Sequence, residues 1–135
     1  MDYKQQNFAT LGANSFPGFV GVEIVKVDNN FGEARLEIKA VHFAPNGYLH
    51  AGCIVTLADT IAGYACLYNL PANGVSFTTI ELKANFLGSI KAGSMKAEAR
   101  LGHAGKTTQV WDVVVSDEEN GKKLALFRCT QLILY

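Results

Sequence analysis

The segment from His50 to Leu70 limits what this chain can fold into more than any other feature. Its apolar side chains recur at the three- and four-residue steps of an α-helix: Ile54, Leu57, Ala58, Ile61, Ala62 and Ala65. Further apolar residues cover much of the opposite side, and a helix that is apolar nearly all round has to be enclosed. The sequence therefore predicts one long, enclosed helix, in which Asp59 is the only acidic residue.

A membrane-spanning helix is the alternative interpretation of this segment. At about 1.5 Å per residue the helix would be roughly 30 Å long, which is also the thickness of a bilayer core. Asp59 argues against a span, since an acid at the centre of a bilayer costs about 2.5 kcal/mol or more. Thr56 and Thr60 are polar as well. We therefore expect the helix to be buried inside protein.

Composition excludes several classes of partner and site. Lys plus Arg and Asp plus Glu number 12 each, so no net charge favours nucleic acid or an anionic membrane. The cysteines Cys53, Cys66 and Cys129 lack metal-binding spacing and are interpreted as reduced core thiols. The histidines are scattered, so no metal site is expected. Without an apolar signal-like run at the start, we expect a single cytoplasmic domain over residues 1–135.

On both sides of the predicted helix, apolar and polar residues alternate with the two-residue period of β-strands. A short helix is expected before Pro17, and two strands follow, joined by a turn at Asn29, Asn30 and Gly32. Four more strands follow the helix. An antiparallel sheet that is apolar on one face needs a cover, and the helix is the only candidate. The prediction is an α+β fold in which about six strands wrap around one central helix.

The first strand after the helix is expected to have one buried face. Its apolar residues Ile80, Leu82, Ala84 and Phe86 alternate with polar residues that begin at Thr79. A turn is then predicted from Gly102 to Lys106, between the next two strands.

Seven segments of the chain together resemble a known family. They are residues 46–52 (NGYLHAG), 57–60 (LADT), 79–82 (TIEL), 85–87 (NFL), 91–93 (KAG), 105–107 (GKT) and 125–128 (ALFR). In combination they resemble the hotdog-fold acyl-CoA thioesterases, and in particular the phenylacetate-degradation branch. The resemblance implies the hotdog fold, hydrolysis of acyl-CoA to free acid and CoA, and no cofactor beyond the CoA of the substrate. It also implies a homodimer with shared active sites, which is expected to assemble into a tetramer.

The spacing of His50 and Asp59 agrees with shared sites. Nine residues of helix correspond to about 2.5 turns and 13 Å, which puts the two on opposite faces. If two helices pack about a two-fold axis, Asp59 of one can face the start of the other. There the N–H groups of Ala51 and Gly52 would stabilise the oxyanion of a thioester, and Asp59 would act as general base or as nucleophile. The family commonly has two glycines after the histidine, so Ala51 departs from its pattern.

Other site residues follow from the resemblance, each with a simpler alternative. Thr79 matches a hydroxyl that orients the attacking water, or is an ordinary strand residue. Asn46 would hydrogen-bond near the thioester, or is only a turn residue, since relatives often have a carboxamide where this chain has Ala44. His50 belongs to the catalytic set, or is a helix-start residue whose ring bonds to a backbone carbonyl, and Tyr64 either lines an acyl pocket or belongs to the core.

A further set of residues is expected to bind the pantetheine and phosphates of CoA. Solvated turn residues are the alternative interpretation for this set: Gly88, Ser89, Lys91, His103, Gly105, Lys106 and Thr107.

Two other functions remain open on sequence grounds. One is a non-catalytic acyl-CoA-binding module, which the retained acid Asp59 disfavours. The other is an enoyl-CoA hydratase, which would ordinarily have a histidine shortly after the acid, where this chain has none. No serine or cysteine nucleophile arrangement is present to compete with them.

Overall fold

Six antiparallel strands form one sheet around a long helix in the computed structural model, which describes residues 2–135. The strands β1 to β6 are Glu23–Asp28, Phe31–Glu37, Ser76–Phe86, Ser94–Ala104, Thr108–Asp117 and Lys123–Leu134. Their spatial order is β1-β2-β4-β5-β6-β3. The helices α1, α2 and α3 are Phe8–Leu11, Phe16–Val20 and Ala51–Tyr68, and 3₁₀ turns lie at Tyr3–Gln5 and Ala40–His42. The predicted α+β architecture, with about six strands around one helix, is confirmed.

The long helix α3 is held at both ends by capping side chains. His50 precedes it, and its ring Nδ1 accepts a hydrogen bond from the Gly52 N–H at 2.8 Å. Asn69 follows it, and its side chain donates to the carbonyls of Ala65 and Asp28 at 2.8 and 3.0 Å. The helix is long and apolar enough to span a membrane, yet it packs against all six strands. It is therefore the core helix of the domain, as expected.

Strand β3 departs from the predicted pattern because it contains a β-bulge at Ile80. Thr79 pairs with Gln131 of β6, and Glu81 pairs with the adjacent residue Thr130. Ile80 between them has no pairing partner in β6. From there on, Leu82 pairs with the buried Cys129 on the inner face of the sheet. Thr79 and Leu82 therefore lie on the same face, which strict alternation cannot produce.

The apolar residues of β3 are not buried within the subunit, so that prediction was wrong. Ile80, Leu82 and Phe86 are 56%, 43% and 48% exposed. The reason is geometric: six strands at about 4.8 Å spacing are wider than a helix of about 10 Å diameter. Because β3 is an edge strand, α3 contacts it but covers it only in part.

Two other boundaries differ from the sequence prediction. Strand β4 continues to Ala104 past a bulge between Leu101 and His103, so the turn to β5 is shorter than predicted. The first hairpin turns at Asn29 and Asn30, with Asn30 at a φ of 59°, while Gly32 already lies inside β2. Both differences arise because strand pairing continues into residues that are typical of turns.

Gly32 lies at a close approach of β2 to α3. A Cβ at this position would lie 3.0 Å from two side-chain carbons of Ile61 and 3.2 Å from the Cβ of Ala65. Since these contacts are tighter than ordinary van der Waals distances, a larger residue fits only if the side chains of α3 shift.

We expect Gly32→Val to lower the free energy of unfolding by about 2 kcal/mol, because it overpacks the contact between β2 and α3. The measurement is a urea unfolding curve. Glu33→Val is the matched control, since the neighbouring side chain points to the other face of the sheet. Equal losses in the two variants would show that the close approach of β2 and α3 does not require a glycine.

Candidate active site

Asp59 lies in the middle of α3 with an unsatisfied carboxylate. Its Oδ1 is buried and has no hydrogen-bond partner among residues 2–135. Burial raises the pKa of Asp59, because a charged carboxylate loses hydration there. A buried acceptor without a partner is a cost to folding, so its retention is not explained by the structure of one subunit.

Asp59 lies within electrostatic range of Cys129 in β6. Burial and, to a smaller extent, the charge of Asp59 raise the pKa of Cys129 to about 12. Cys129 itself is buried and pairs with Leu82 of β3.

The N-terminus of α3 offers one free N–H group rather than the two that were expected. The Gly52 N–H is used by the His50 ring, and the Cys53 N–H donates to the His50 carbonyl at 2.9 Å. Within the described chain, no acceptor is found for the Ala51 N–H. His50 is thus a helix cap, although its ring bonds to an N–H and not to a carbonyl. Because Nδ1 accepts, the neutral ring carries its proton on Nε2.

A cavity of about 360 Å³ opens beside this helix start. Its lining is mainly apolar and comes from α2, the loop before α3 and the first turns of α3: Phe16, Val20, Val41, His42, Phe43, His50, Gly52, Cys53 and Thr56. Burial raises the pKa of the Cys53 thiol to about 11, so it stays protonated and is not a nucleophile at neutral pH. The site thus combines an apolar pocket with a free N–H donor.

Sequence reasoning missed both α2 and His42 as parts of this cavity. The cluster around Pro17 was expected to end a helix, whereas Pro17 lies in the first turn of α2. The signal was available, since a serine at the N-cap (Ser15) with a proline in the first turn (Pro17) is a common way to begin a helix. Nothing in the local sequence indicated that His42 would be buried.

Asp59 and the Ala51 N–H cannot act on one substrate within a single subunit. Eight residues of helix separate them, about 12 Å along the axis. A reacting carbonyl must lie about 3 Å from both groups. The carboxylate and the donor can therefore meet only across two copies of the chain.

Thr79 and Asn46 have defined partners. The Thr79 hydroxyl donates to Oε1 of the fully buried Gln131 at 2.6 Å, which leaves its lone pairs to accept from a water molecule. The bulge at Ile80 turns Thr79 towards the helix side of the sheet. The Asn46 side chain accepts from the Tyr48 N–H at 3.1 Å in an exposed turn, which matches the turn interpretation.

Tyr64 does not line the cavity at the helix start. Its ring packs on Phe8 of α1, with the ring centroids 5.6 Å apart. A Cβ on Gly12 would meet the Tyr64 hydroxyl, so the ring is enclosed by the N-terminal segment. Within the subunit Tyr64 is a packing residue, and the predicted contact with an acyl group is not formed there.

The residues expected to bind CoA separate into two groups at opposite ends of the sheet. Gly88, Ser89 and Lys91 precede β4, and the Gly88 N–H donates to the Leu124 carbonyl near the start of β6. The other group is at the far end of β4, where Thr107 accepts from the Ile133 N–H near the end of β6: His103, Gly105, Lys106 and Thr107. Strand β4 between them is about 33 Å long. Within one copy of the chain the two groups therefore lie far apart, and their binding of CoA stays a prediction.

Comparison with known proteins agrees with the fold. The model of the Thioesterase superfamily matches residues 46–124. The 1,4-dihydroxy-2-naphthoyl-CoA hydrolase of Listeria monocytogenes is 37% identical over 111 residues, which are 82% of this chain and 89% of that protein.

Solved structures show the same fold. A variant of the thioesterase PA1618 from Pseudomonas aeruginosa matches with a TM-score of 0.88 at 27% identity, covering 96% of each chain. The PaaI protein from the phenylacetic acid degradation operon of E. coli matches with a TM-score of 0.85 at 26% identity, covering 98% of this chain and 94% of that one. The likeness to PaaI is no greater than to PA1618, so the phenylacetate branch stays a prediction. The chain belongs to the thioesterase superfamily and is a thioester hydrolase of the hotdog fold.

Proposed function

We propose that this protein hydrolyses acyl-CoA thioesters to free acid and CoA, with aromatic or medium-chain acyl groups as substrates. The observation behind the proposal is the carboxylate of Asp59, whose Oδ1 is buried and has no partner among residues 2–135, on a helix whose first N–H group is also free. The naphthoyl-CoA hydrolase relative bears a name that describes an aromatic acyl-CoA substrate. The apolar cavity beside the helix start is of a size that suits such an acyl group.

In this proposal the thioester carbonyl accepts a hydrogen bond from the Ala51 N–H. The positive end of the α3 dipole adds to the stabilisation of the oxyanion that forms when the carbonyl is attacked. The acyl group then extends into the cavity beside His50. Collapse of the tetrahedral intermediate expels the CoA thiolate, which takes up a proton from solvent.

Asp59 supplies the attack by one of two routes. As general base it takes a proton from water while the oxygen of that water bonds to the carbonyl carbon. As nucleophile it bonds to that carbon itself, and water then hydrolyses the acyl anhydride. In either route Thr79 can accept a hydrogen bond from a water molecule, because its hydroxyl already donates to Gln131 and its lone pairs stay free.

We further propose that the active unit is a homodimer in which each site uses both subunits. Strand β3 is an edge strand of 11 residues that exposes Ile80, Leu82 and Phe86. Pairing with its two-fold copy would cover these side chains and extend the sheet. The same symmetry would let Asp59 of one subunit approach Ala51 of the other, and would let the two CoA-binding groups come from different subunits.

Two parts of the proposal rest on the family resemblance and on cysteine usage. We expect the dimers to pair into tetramers, as the resemblance implies. We also propose a cytoplasmic location, in agreement with three cysteines that are all free thiols.

Removing either the Asp59 carboxylate or the Ala51 N–H should abolish most of the activity. Asp59→Asn is expected to lower kcat at least about a hundredfold, since it removes the base or nucleophile. Ala51→Pro is expected to lower kcat by about a hundredfold, because proline at the first helical position deletes the N–H while preserving the helix. The measurement is thiol release from benzoyl-CoA.

Ala51→Ser keeps the N–H and serves as the matched control, which should retain far more activity than Ala51→Pro. Unchanged turnover in Asp59→Asn would refute the mechanism. Binding of acyl-CoA without turnover in the parent would favour the non-catalytic alternative.

Mixed dimers test whether the sites are shared. When inactive Asp59→Asn and Ala51→Pro subunits are unfolded together and refolded, half of the dimers should combine one of each. In such a dimer one site takes Asp59 from one subunit and the Ala51 N–H from the other, so about half of the parental activity per mixed dimer should return. No recovery, with mixed dimers confirmed by mass spectrometry, would show that each site belongs to one subunit.

The rate should depend on pH through the raised pKa of Asp59. Either route needs the ionised carboxylate, so kcat/KM should fall as the pH falls through that pKa. Because burial raises the pKa above 3.8, the acid limb should lie at a higher pH than an exposed aspartate would give. Circular dichroism over the same range controls for acid unfolding. An acid limb at or below pH 3.8 would contradict the assignment to Asp59.

A further inference from the structure

His42 is a buried histidine for which neither the family signature nor the proposed chemistry has a role. Its side chain is 6% exposed. Its ring Nε2 lies 2.7 Å from the Val20 carbonyl, and its Nδ1 lies 2.9 Å from the Lys39 N–H. Its own carbonyl accepts from the His50 N–H at 3.0 Å. One residue thus joins the end of α2, the turn after β2 and the residue that caps α3.

The two ring contacts determine the tautomer of His42. A carbonyl can only accept, so Nε2 carries the proton and donates to Val20. The Lys39 N–H can only donate, so Nδ1 must be unprotonated. Only a neutral ring with its proton on Nε2 can form both hydrogen bonds, to the Val20 carbonyl and from the Lys39 N–H.

The segments that His42 connects are walls of the cavity beside the helix start. Phe16 and Val20 of α2 line this cavity, together with His50, Gly52 and Cys53 at the start of α3. The Val20 carbonyl is at the C-terminal end of α2, where a helix leaves its carbonyls without helical partners. The hydrogen bond from the Nε2–H of His42 to the Val20 carbonyl therefore determines the position of α2 relative to α3.

We propose that His42 is a positioning residue that holds α2 as the wall of the acyl pocket and so sets the affinity for the acyl group. This inference rests on the proposed function, because it takes the cavity as the acyl site. Its physical basis is separate: the backbone bonds of His42 exist whatever the pocket binds. Loss of the bond to Val20 should loosen α2 and weaken binding, with less effect on the chemical step.

Two isosteric variants separate the ring nitrogens. In His42→Asn the amide oxygen occupies the place of Nδ1, so the bond from Lys39 can persist while the bond to Val20 is lost. In His42→Gln the amide nitrogen occupies the place of Nε2, so the bond to Val20 can persist while the bond from Lys39 is lost. His42→Leu removes both at similar volume.

The first readout needs no activity. Hydrogen–deuterium exchange of the α2 amides should be about tenfold faster in His42→Asn than in His42→Gln, because only the former frees the Val20 carbonyl. Equal exchange in the two variants would overturn the proposal, whether or not the protein is a thioesterase.

The second readout is the split between KM and kcat for benzoyl-CoA. We expect KM to rise about tenfold in His42→Asn and about threefold in His42→Gln, with smaller changes in kcat. Gly32→Val is the control, since it lowers stability away from the cavity and should leave KM unaffected. If the increase in KM is proportional to the loss in free energy of unfolding across all these variants, including Gly32→Val, then His42 is only structural and the proposal fails.

The same variants distinguish failure of this inference from failure of the proposed function. If the parent protein binds but does not cleave benzoyl-CoA, the dissociation constant of its thioether analogue replaces KM, and the same order of variants is expected. If the parent cleaves benzoyl-CoA but that order is absent, the proposed function stands and the role of His42 is rejected.

Discussion

A single helix is narrower than the six-stranded sheet that it packs against, and the rest of the structure depends on this mismatch. The sheet curls, but α3 still covers the central strands better than β3 at the edge. The apolar side chains Leu82 and Phe86 on β3 accordingly stay half exposed. On the helix, a buried oxygen of Asp59 has no hydrogen-bond partner among residues 2–135. In the proposed dimer a two-fold copy would cover these side chains and bring a second chain to the carboxylate, which links the fold of the chain to the proposed chemistry.

At the start of α3, one N–H group is used for capping the helix and another is left free for the proposed catalysis. Helix N-termini leave N–H groups without partners, and His50 satisfies the one on Gly52 with its own ring. The N–H of Ala51 stays free, so the helix retains a single donor directed out of its first turn. A methyl group on residue 51 does not alter that donor, and so the departure from the two-glycine pattern leaves the proposed oxyanion contact intact. The cap therefore stabilises the helix and leaves free the N–H group that the proposed reaction uses.

The cavity beside that donor depends on backbone contacts that are distant in sequence. His42 bonds to Val20, which lies 22 residues earlier, and its carbonyl bonds to His50. A neutral imidazole can donate on one nitrogen and accept on the other, so it joins a carbonyl and an N–H that would otherwise both lack partners. This places α2 opposite the first turns of α3 and leaves an apolar pocket between them. The short helix thereby becomes part of the site, although its residues carry no reactive group.

Much of the architecture could be predicted from the sequence, because it follows from local periodicity. The repeat of apolar residues determined α3 nearly to its ends, and the four strands expected after it are all present. The lone acid Asp59 and the family signature around residues 46–52 determined which chemistry to look for. The bulge at Ile80 could not be predicted, since it exists only in the pairing of β3 with β6. It decides that Thr79 faces the helix side, where strict alternation would turn it away.

The sequence by itself thus determined the element types, the enclosed helix and its buried acid, because side-chain periods of two and of three to four report directly on one strand or helix. Only the tertiary structure decided that Gly32 is a packing contact, that Lys91 and Lys106 lie at opposite ends of the sheet, and that His42 joins three segments. These facts depend on distances between residues far apart in the chain. No local sequence pattern predicts such distances, because they depend on how the wide sheet packs against the narrower helix.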